Sequence, residues 1–190
     1  MEAKGRRDIL TAPNLISLFR LLLIPLMAGL YLRAKTVAAL VVFGVSALSD
    51  VADGRIARRF GMVTDLGKML DPLADKLTQG AAALLVGTVH PQLFFLFGSM
   101  AVKEIAQAAI GAYSVRHTGQ VLSALWFGKV CTVVTTGFLM VLFAFPRLPE
   151  TAISAMVLLC IALMLLSLIL YAQRWHALNA AARREGRALS

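Results

Sequence analysis

Charged residues almost vanish from four stretches of this chain, 21–32, 37–48, 77–89 and 152–172. The last approaches the roughly 20 apolar residues that cross a bilayer as one helix. Breakers and charges divide the chain into about six helical segments, at 13–32, 36–58, 66–89, 92–115, 122–145 and 151–174. The stretches between them (RAK, RRFGMVTD, HP, RHTGQ and PRLPE) are short. Short connections make neighbouring helices antiparallel within one compact domain. The pattern therefore predicts an all-α, polytopic membrane protein with six transmembrane helices. Residues 1–12 form a juxtamembrane segment in which Ile9 and Leu10 follow a basic cluster, either as a short interfacial helix or as a plain basic tail. Residues 13–175 form the helical domain, and residues 176–190 a basic cytoplasmic tail.

Composition supports a membrane solvent. Of the 190 residues, 59% are hydrophobic, and the mean hydropathy is +0.78. That is more apolar surface than one soluble core of this size buries. The net charge of +9 does not point to nucleic acid, because the basic residues flank apolar segments instead of forming a solvated arm; anionic membrane lipid is the expected partner. Six spans put both termini on one side. That side collects Lys4, Arg6, Arg7, Arg58, Arg59, Arg116, Arg183, Arg184 and Arg187, against Arg33, Lys35 and Arg147 opposite. The excess of Lys and Arg on cytoplasmic loops then predicts a multi-pass protein of the cytoplasmic membrane with both termini inside the cell. The opening MEAKGRRDIL resembles a signal peptide, but Asn14, Arg20 and the later spans predict a retained first helix.

Several residues that often carry chemistry are assigned none. Cys131 and Cys160 lie inside apolar segments at no metal-ligand spacing, as buried thiols without a disulfide. His90, His117 and His176 are scattered on loops or ends, and Trp126 and Trp175 fall near span ends, where aromatic anchors sit. Lys103 beside Glu104 reads as an intramembrane ion pair, and Gly80, Gly87, Gly111 and Gly137 as places where helices approach closely.

The acids are different. Asp50 and Asp53 are three apart on the second helix, and Asp71 and Asp75 four apart on the third, so each pair projects from one helix face. Both pairs fall near the cytoplasmic ends of adjacent helices. Carboxylates at the edge of a bilayer are costly and functional by default. Hard oxygen ligands without His or Cys match Mg2+, with Mn2+ or Ca2+ as alternatives, and not zinc. Four of them suit a two-metal site of the kind that clamps attacking and leaving oxygens in phosphoryl chemistry. Gly54 and Gly67 admit a ligand close to the backbone, Arg58 is within reach of phosphate oxygens, and Asp65 stands where an N-cap belongs.

Asp50, Asp53, Gly54, Ala57, Arg58, Gly67, Asp71 and Asp75 together reproduce the pattern D-x2-D-G-x2-A-R-x8-G-x3-D-x3-D. By that motif the chain resembles the CDP-alcohol phosphatidyltransferases. PNLISLFRLLLIP and LDPLADK are similar to segments of bacterial phosphatidylglycerophosphate synthases and the related cardiolipin synthases. The resemblance is strong to about residue 80 and implies transfer of a phosphatidyl group from CDP-diacylglycerol to an alcohol acceptor, with CMP leaving. It further implies that Asp50, Asp53, Asp71 and Asp75 bind metal and that Asp75 is the general base. A carboxylate in that place orients and deprotonates the hydroxyl only as it attacks. By the same analogy Pro13, Asn14, Gly54, Arg58 and Thr64 surround the CDP-diacylglycerol headgroup; Asn14 and Thr64 are equally suited to local helix capping. A homodimer is also implied.

The acceptor is open to more than one reading. Glycerol 3-phosphate needs cations for its phosphate, and Arg116 and Lys129 are the acceptor-binding candidates; the segment FGKVCT is similar to one in the phosphatidylglycerophosphate synthases. Those synthases resemble one another in an Arg-Glu pair with an Arg seven residues after the Glu, whereas this chain has Lys103, Glu104 and Gly111. Glycerol 3-phosphate is the first expectation; phosphatidylglycerol, as in cardiolipin synthesis, or another polyol phosphate is the alternative. A cation or proton transporter also needs intramembrane acids, but predicts them near the midplane in paired halves.

Overall fold

Backbone is described for residues 12–60, 65–118 and 126–184 of a computed structural model, and side chains for residues 15–49, 70–116 and 126–180. The expected interfacial segment at residues 1–12 lies almost wholly outside the described residues, as do Pro13 and Asn14 as side chains. The described residues form six helices: α1 Ala12–Leu32, α2 Thr36–Phe60, α3 Asp65–Gly87, α4 Gln92–Thr118, α5 Trp126–Ala144 and α6 Glu150–Arg184. Among the described residues every regular element is helical. A hydrocarbon solvent offers no partner for backbone N–H and C=O groups, so apolar runs of this length satisfy them internally as helices. Pro25 in α1 and Pro72 in α3 interrupt that ladder without ending the helix.

Among the described residues four helices are long and apolar enough to cross a membrane: α1, α4, α5 and α6. In α2 the apolar part is Thr36–Ser49, and the remainder, like the first half of α3, carries the acidic motif. The charged residues of that motif lower the hydropathy of those two helices. The main departure from the sequence reading is α6, which runs through Arg184 instead of stopping near Arg174. Arg174 marks where the side chains turn polar, but the Ala-rich stretch after it has no Gly or Pro to break a helix.

The helix ends explain the short connections. At the end of α1, Lys35 N–H donates to the Leu30 carbonyl (3.0 Å) and Ala34 N–H to the Tyr31 carbonyl (2.9 Å). Ala34 adopts φ 57°, the left-handed residue of a Schellman stop. Pro91 and Pro149 open the fourth and sixth helices: their carbonyls accept from Phe94 N–H (3.0 Å) and Ala152 N–H (2.9 Å), and a proline there forfeits no helical donor.

The packing divides into two compact units: Met1–His90 with Leu139–Leu148, and Pro91–Phe138 with Pro149–Ser190. In the first unit α1 packs against both α2 and α3, and α2 also touches α3. Ala39, Ala74, Ala82 and Ala83 are fully buried there, small residues that let helix backbones approach. Phe143, near the C-terminal end of α5, stacks tilted on Tyr31 (5.0 Å) and Phe43 (5.6 Å). His90 Nε2 lies 3.0 Å from the Pro146 carbonyl, which can only accept, so the ring N–H ties two loops together and serves structure, not chemistry.

In the second unit α4 packs against α6. Gln92 donates to the Glu150 carboxylate where these helices begin. Lys103 Nζ pairs with Glu104 Oε1 at 2.8 Å, as the sequence predicts. Tyr113 meets Trp175 edge-on at 5.7 Å. Of the glycines expected at close approaches, Gly111 fits, since a Cβ there would stand 3.3 Å from Tyr171 Oη; at Gly137 nothing lies within 4 Å. Cys131 and Cys160 are both buried and form no disulfide. Large apolar side chains such as Phe95 (75% exposed) and Leu32 (70%) face outward, the surface expected of a protein solvated by lipid.

Candidate active site

The described part of the acidic motif belongs to α3, and α1 supplies its partners. Asp71 and Asp75, one turn apart, present their carboxylates on the same face. Their side chains are 32% and 24% exposed, so neither is sealed in the core and both can meet a ligand. Ser17 Oγ donates to Asp71 Oδ1, and Arg20 Nη2 stands 3.5 Å from the same oxygen. Both partners come from one face of α1, three residues apart. Ser17 is fully buried and the Arg20 side chain is 1% exposed. A guanidinium at that depth requires a carboxylate: removing one member of a buried pair costs about 3–5 kcal/mol.

Asp75 is held from its own helix. Gln79 Nε2, one turn on, donates to Asp75 Oδ1 at 2.9 Å, and Lys76 Nζ lies 3.2 Å from Oδ2. Gln79 is 3% exposed, so its amide cannot drift into solvent. Beside it, Thr78 Oγ1 donates to the Ala74 carbonyl at 2.8 Å and satisfies its own hydroxyl within α3. Each acid thus has one oxygen oriented by an uncharged donor and a cation close by.

Pro13, Asn14, Asp50, Asp53, Gly54 and Arg58, all expected in the site, sit on described helices, but their side chains are outside the described residues, and Thr64 is wholly outside them. Convergence of the two aspartate pairs therefore lies beyond the described residues, among which no three His, Cys, Asp or Glu side chains come together. The acceptor candidates Arg116, near the C-terminal end of α4, and Lys129, in the first turn of α5, are both exposed.

Sequence reading missed Ser17 and Gln79 and gave Arg20 no place in the site. Their signal was present: Ser17 and Arg20 are polar residues three apart in an otherwise apolar run, and an arginine inside a span needs a partner. Gln79 stands four residues beyond Asp75, where helix neighbours meet.

Residues 10–171 match the family model described as CDP-alcohol phosphatidyltransferase. The chain belongs to the CDP-alcohol phosphatidyltransferase family. It is accordingly a CDP-diacylglycerol-dependent phosphatidyltransferase, a multi-pass membrane enzyme of phospholipid biosynthesis. A Mycobacterium tuberculosis protein named "Probable phosphatidylglycerophosphate synthase" is 27% identical over 170 residues, covering 86% of this chain and 80% of the relative. The Escherichia coli CDP-diacylglycerol–glycerol-3-phosphate 3-phosphatidyltransferase is 34% identical over 127 residues, 63% of this chain and 69% of that protein. A Streptomyces coelicolor cardiolipin synthase (CMP-forming) is 41% identical over 83 residues, 40% of this chain and 39% of its own length.

Family membership leaves the transporter alternative without support. It also brings a divalent metal into consideration, and the described residues fit one. Asp71 and Asp75 offer hard oxygen donors, partly exposed, with no thiolate or imidazole described beside them to favour a softer ion.

Proposed function

We propose that this phosphatidyltransferase uses glycerol 3-phosphate as acceptor, forming phosphatidylglycerophosphate and CMP from CDP-diacylglycerol. The observation that carries this reading is the reach of the likeness: similarity to the Mycobacterium tuberculosis protein covers 86% of the chain, whereas similarity to the Streptomyces cardiolipin synthase covers 40%. Transfer to phosphatidylglycerol is the second reading, favoured by the higher identity of that shorter match and by Gly111 standing where an arginine is expected.

In this reading Asp50, Asp53, Asp71 and Asp75 hold two divalent ions, Mg2+ in the first place and Mn2+ as an alternative. The ions would neutralise the diphosphate and the charge that develops as the bond to CMP breaks. Arg58 binds diphosphate oxygens, and Pro13, Asn14, Gly54 and Thr64 line the nucleotide end. Arg116 and Lys129 bind the acceptor phosphate. Asp75 takes the proton from the acceptor hydroxyl as its oxygen attacks the lipid-linked phosphorus. The contacts around Asp75 support its role as base, since the buried Gln79 amide fixes the direction of Oδ1 and the carboxylate is oriented before the hydroxyl arrives.

The catalytic domain in this proposal runs over residues 13–175 and works at the cytoplasmic membrane with both termini inside the cell, as a homodimer; α6 continues into the basic tail. The test offers purified protein CDP-diacylglycerol with glycerol 3-phosphate, phosphatidylglycerol, inositol phosphate or serine in separate reactions. Phosphatidylglycerophosphate as the main product supports the first reading; cardiolipin as the main product replaces it with the second.

A further inference from the structure

Arg20 stands out among the polar residues of the first unit because nothing about crossing a membrane calls for it. It interrupts the run SLFRLLLIP, its side chain is 1% exposed, and its Nη2 lies 3.5 Å from Asp71 Oδ1. Ser17, one turn earlier on α1, donates to the same oxygen. A guanidinium does not lose its proton in a protein, and at this burial it cannot swing into water, so Asp71 has a permanent positive neighbour.

We infer that Arg20 is a tethered counter-cation of the acidic site, which competes with the divalent metal for Asp71. This rests on the proposal that Asp71 is a metal ligand. With Oδ1 committed to α1, an ion meets Asp71 in the presence of a fixed positive charge. Two effects then oppose each other: Arg20 and Ser17 hold the carboxylate in one rotamer, which favours binding, while the guanidinium repels the ion. Like charges a few ångströms apart in a medium of reduced dielectric interact more strongly than one side-chain rotamer is worth. Repulsion wins, so Arg20 weakens metal affinity and stabilises the site while metal is absent. The consequence is a metal that exchanges with solution instead of remaining permanently bound.

The experiment uses full-length protein in lipid nanodiscs and Mn2+ as the probe, with bound ion read by electron paramagnetic resonance and stability by thermal unfolding; neither needs turnover. Arg20→Gln is expected to bind Mn2+ at least about tenfold more tightly than the unmodified protein. It should melt lower without Mn2+ and gain more from adding it. Arg20→Lys, which keeps the charge, should stay within about threefold of the unmodified affinity. Equal or weaker Mn2+ binding by Arg20→Gln overturns the inference. Asp71→Asn separates the two layers: unchanged Mn2+ binding there removes Asp71 from the ligand set and defeats the underlying reading. Weakened binding there, without tightening in Arg20→Gln, defeats the counter-cation alone. Should Arg20→Gln fail to fold, the double variant with Asp71→Asn removes both charges and is expected to fold; if it does not, Arg20 is no counter-charge to Asp71 and the inference falls.

Discussion

Replacing Gln79 with leucine isolates what the orientation of Asp75 contributes to turnover. The Gln79 amide donates to Asp75 Oδ1 at 2.9 Å from a position 3% exposed, and leucine fills a similar volume without a donor. A hydrogen bond to a charged group contributes about 1.5–3 kcal/mol. Asp75 is 24% exposed, so water replaces part of the lost contact and the lower half of that range applies. Since about 1.4 kcal/mol is tenfold in rate, kcat should fall roughly 10- to 40-fold, with KM for CDP-diacylglycerol little changed because the amide touches the proposed base and not the nucleotide. CMP release measured in mixed micelles gives both parameters. In an Asp75→Asn background the same substitution should cost nothing further, since there is no base left to orient. Turnover within about threefold of the unmodified enzyme, or a loss that persists undiminished in the Asp75→Asn background, would show that Gln79 does not act through the base.

Four other sites lend themselves to substitution. Asp75→Asn should cut CMP release to a small residual rate while the protein still folds and binds nucleotide, which a fluorescent CDP analogue can report, and Asp50→Asn should raise the Mg2+ concentration needed for half-maximal rate. Ala34→Gly should stabilise the enzyme by about 0.5–1 kcal/mol, read as a higher thermal midpoint in detergent, because φ 57° strains any residue with a Cβ. Phe143→Ala empties the space between Tyr31 and Phe43 and should cost about 3 kcal/mol in reversible unfolding from bicelles; a loss below about 1 kcal/mol would mean that the ring cluster is not a packing centre.

Much of the architecture was legible before any coordinate, because a bilayer leaves a chain few options. Apolar runs near twenty residues must satisfy their own backbone, so six helices and most of their boundaries follow from hydropathy and breakers alone. The family was legible for a different reason: metal and diphosphate chemistry places acids, glycines and an arginine at fixed spacings on two helices, and Asp50 to Asp75 preserve those spacings in one short segment. Where Arg174 was read as the end of α6, the sequence signalled the edge of the membrane and not the end of the helix.

Sequence could not assign which polar residues meet across helices. Ser17 and Arg20 lie more than fifty residues from Asp71, and nothing in their spacing names α3 as their partner. Only the packing of α1 against α3 brings an apparently misplaced arginine to a carboxylate. Helices, solvent and reaction class were settled by the order of residues, since these depend on composition and on spacing along one segment. Which charge neighbours Asp71 was settled by the folded chain, because electrostatics and hydrogen bonding depend on distance through space, and here that distance is set only when helices far apart in the chain come together.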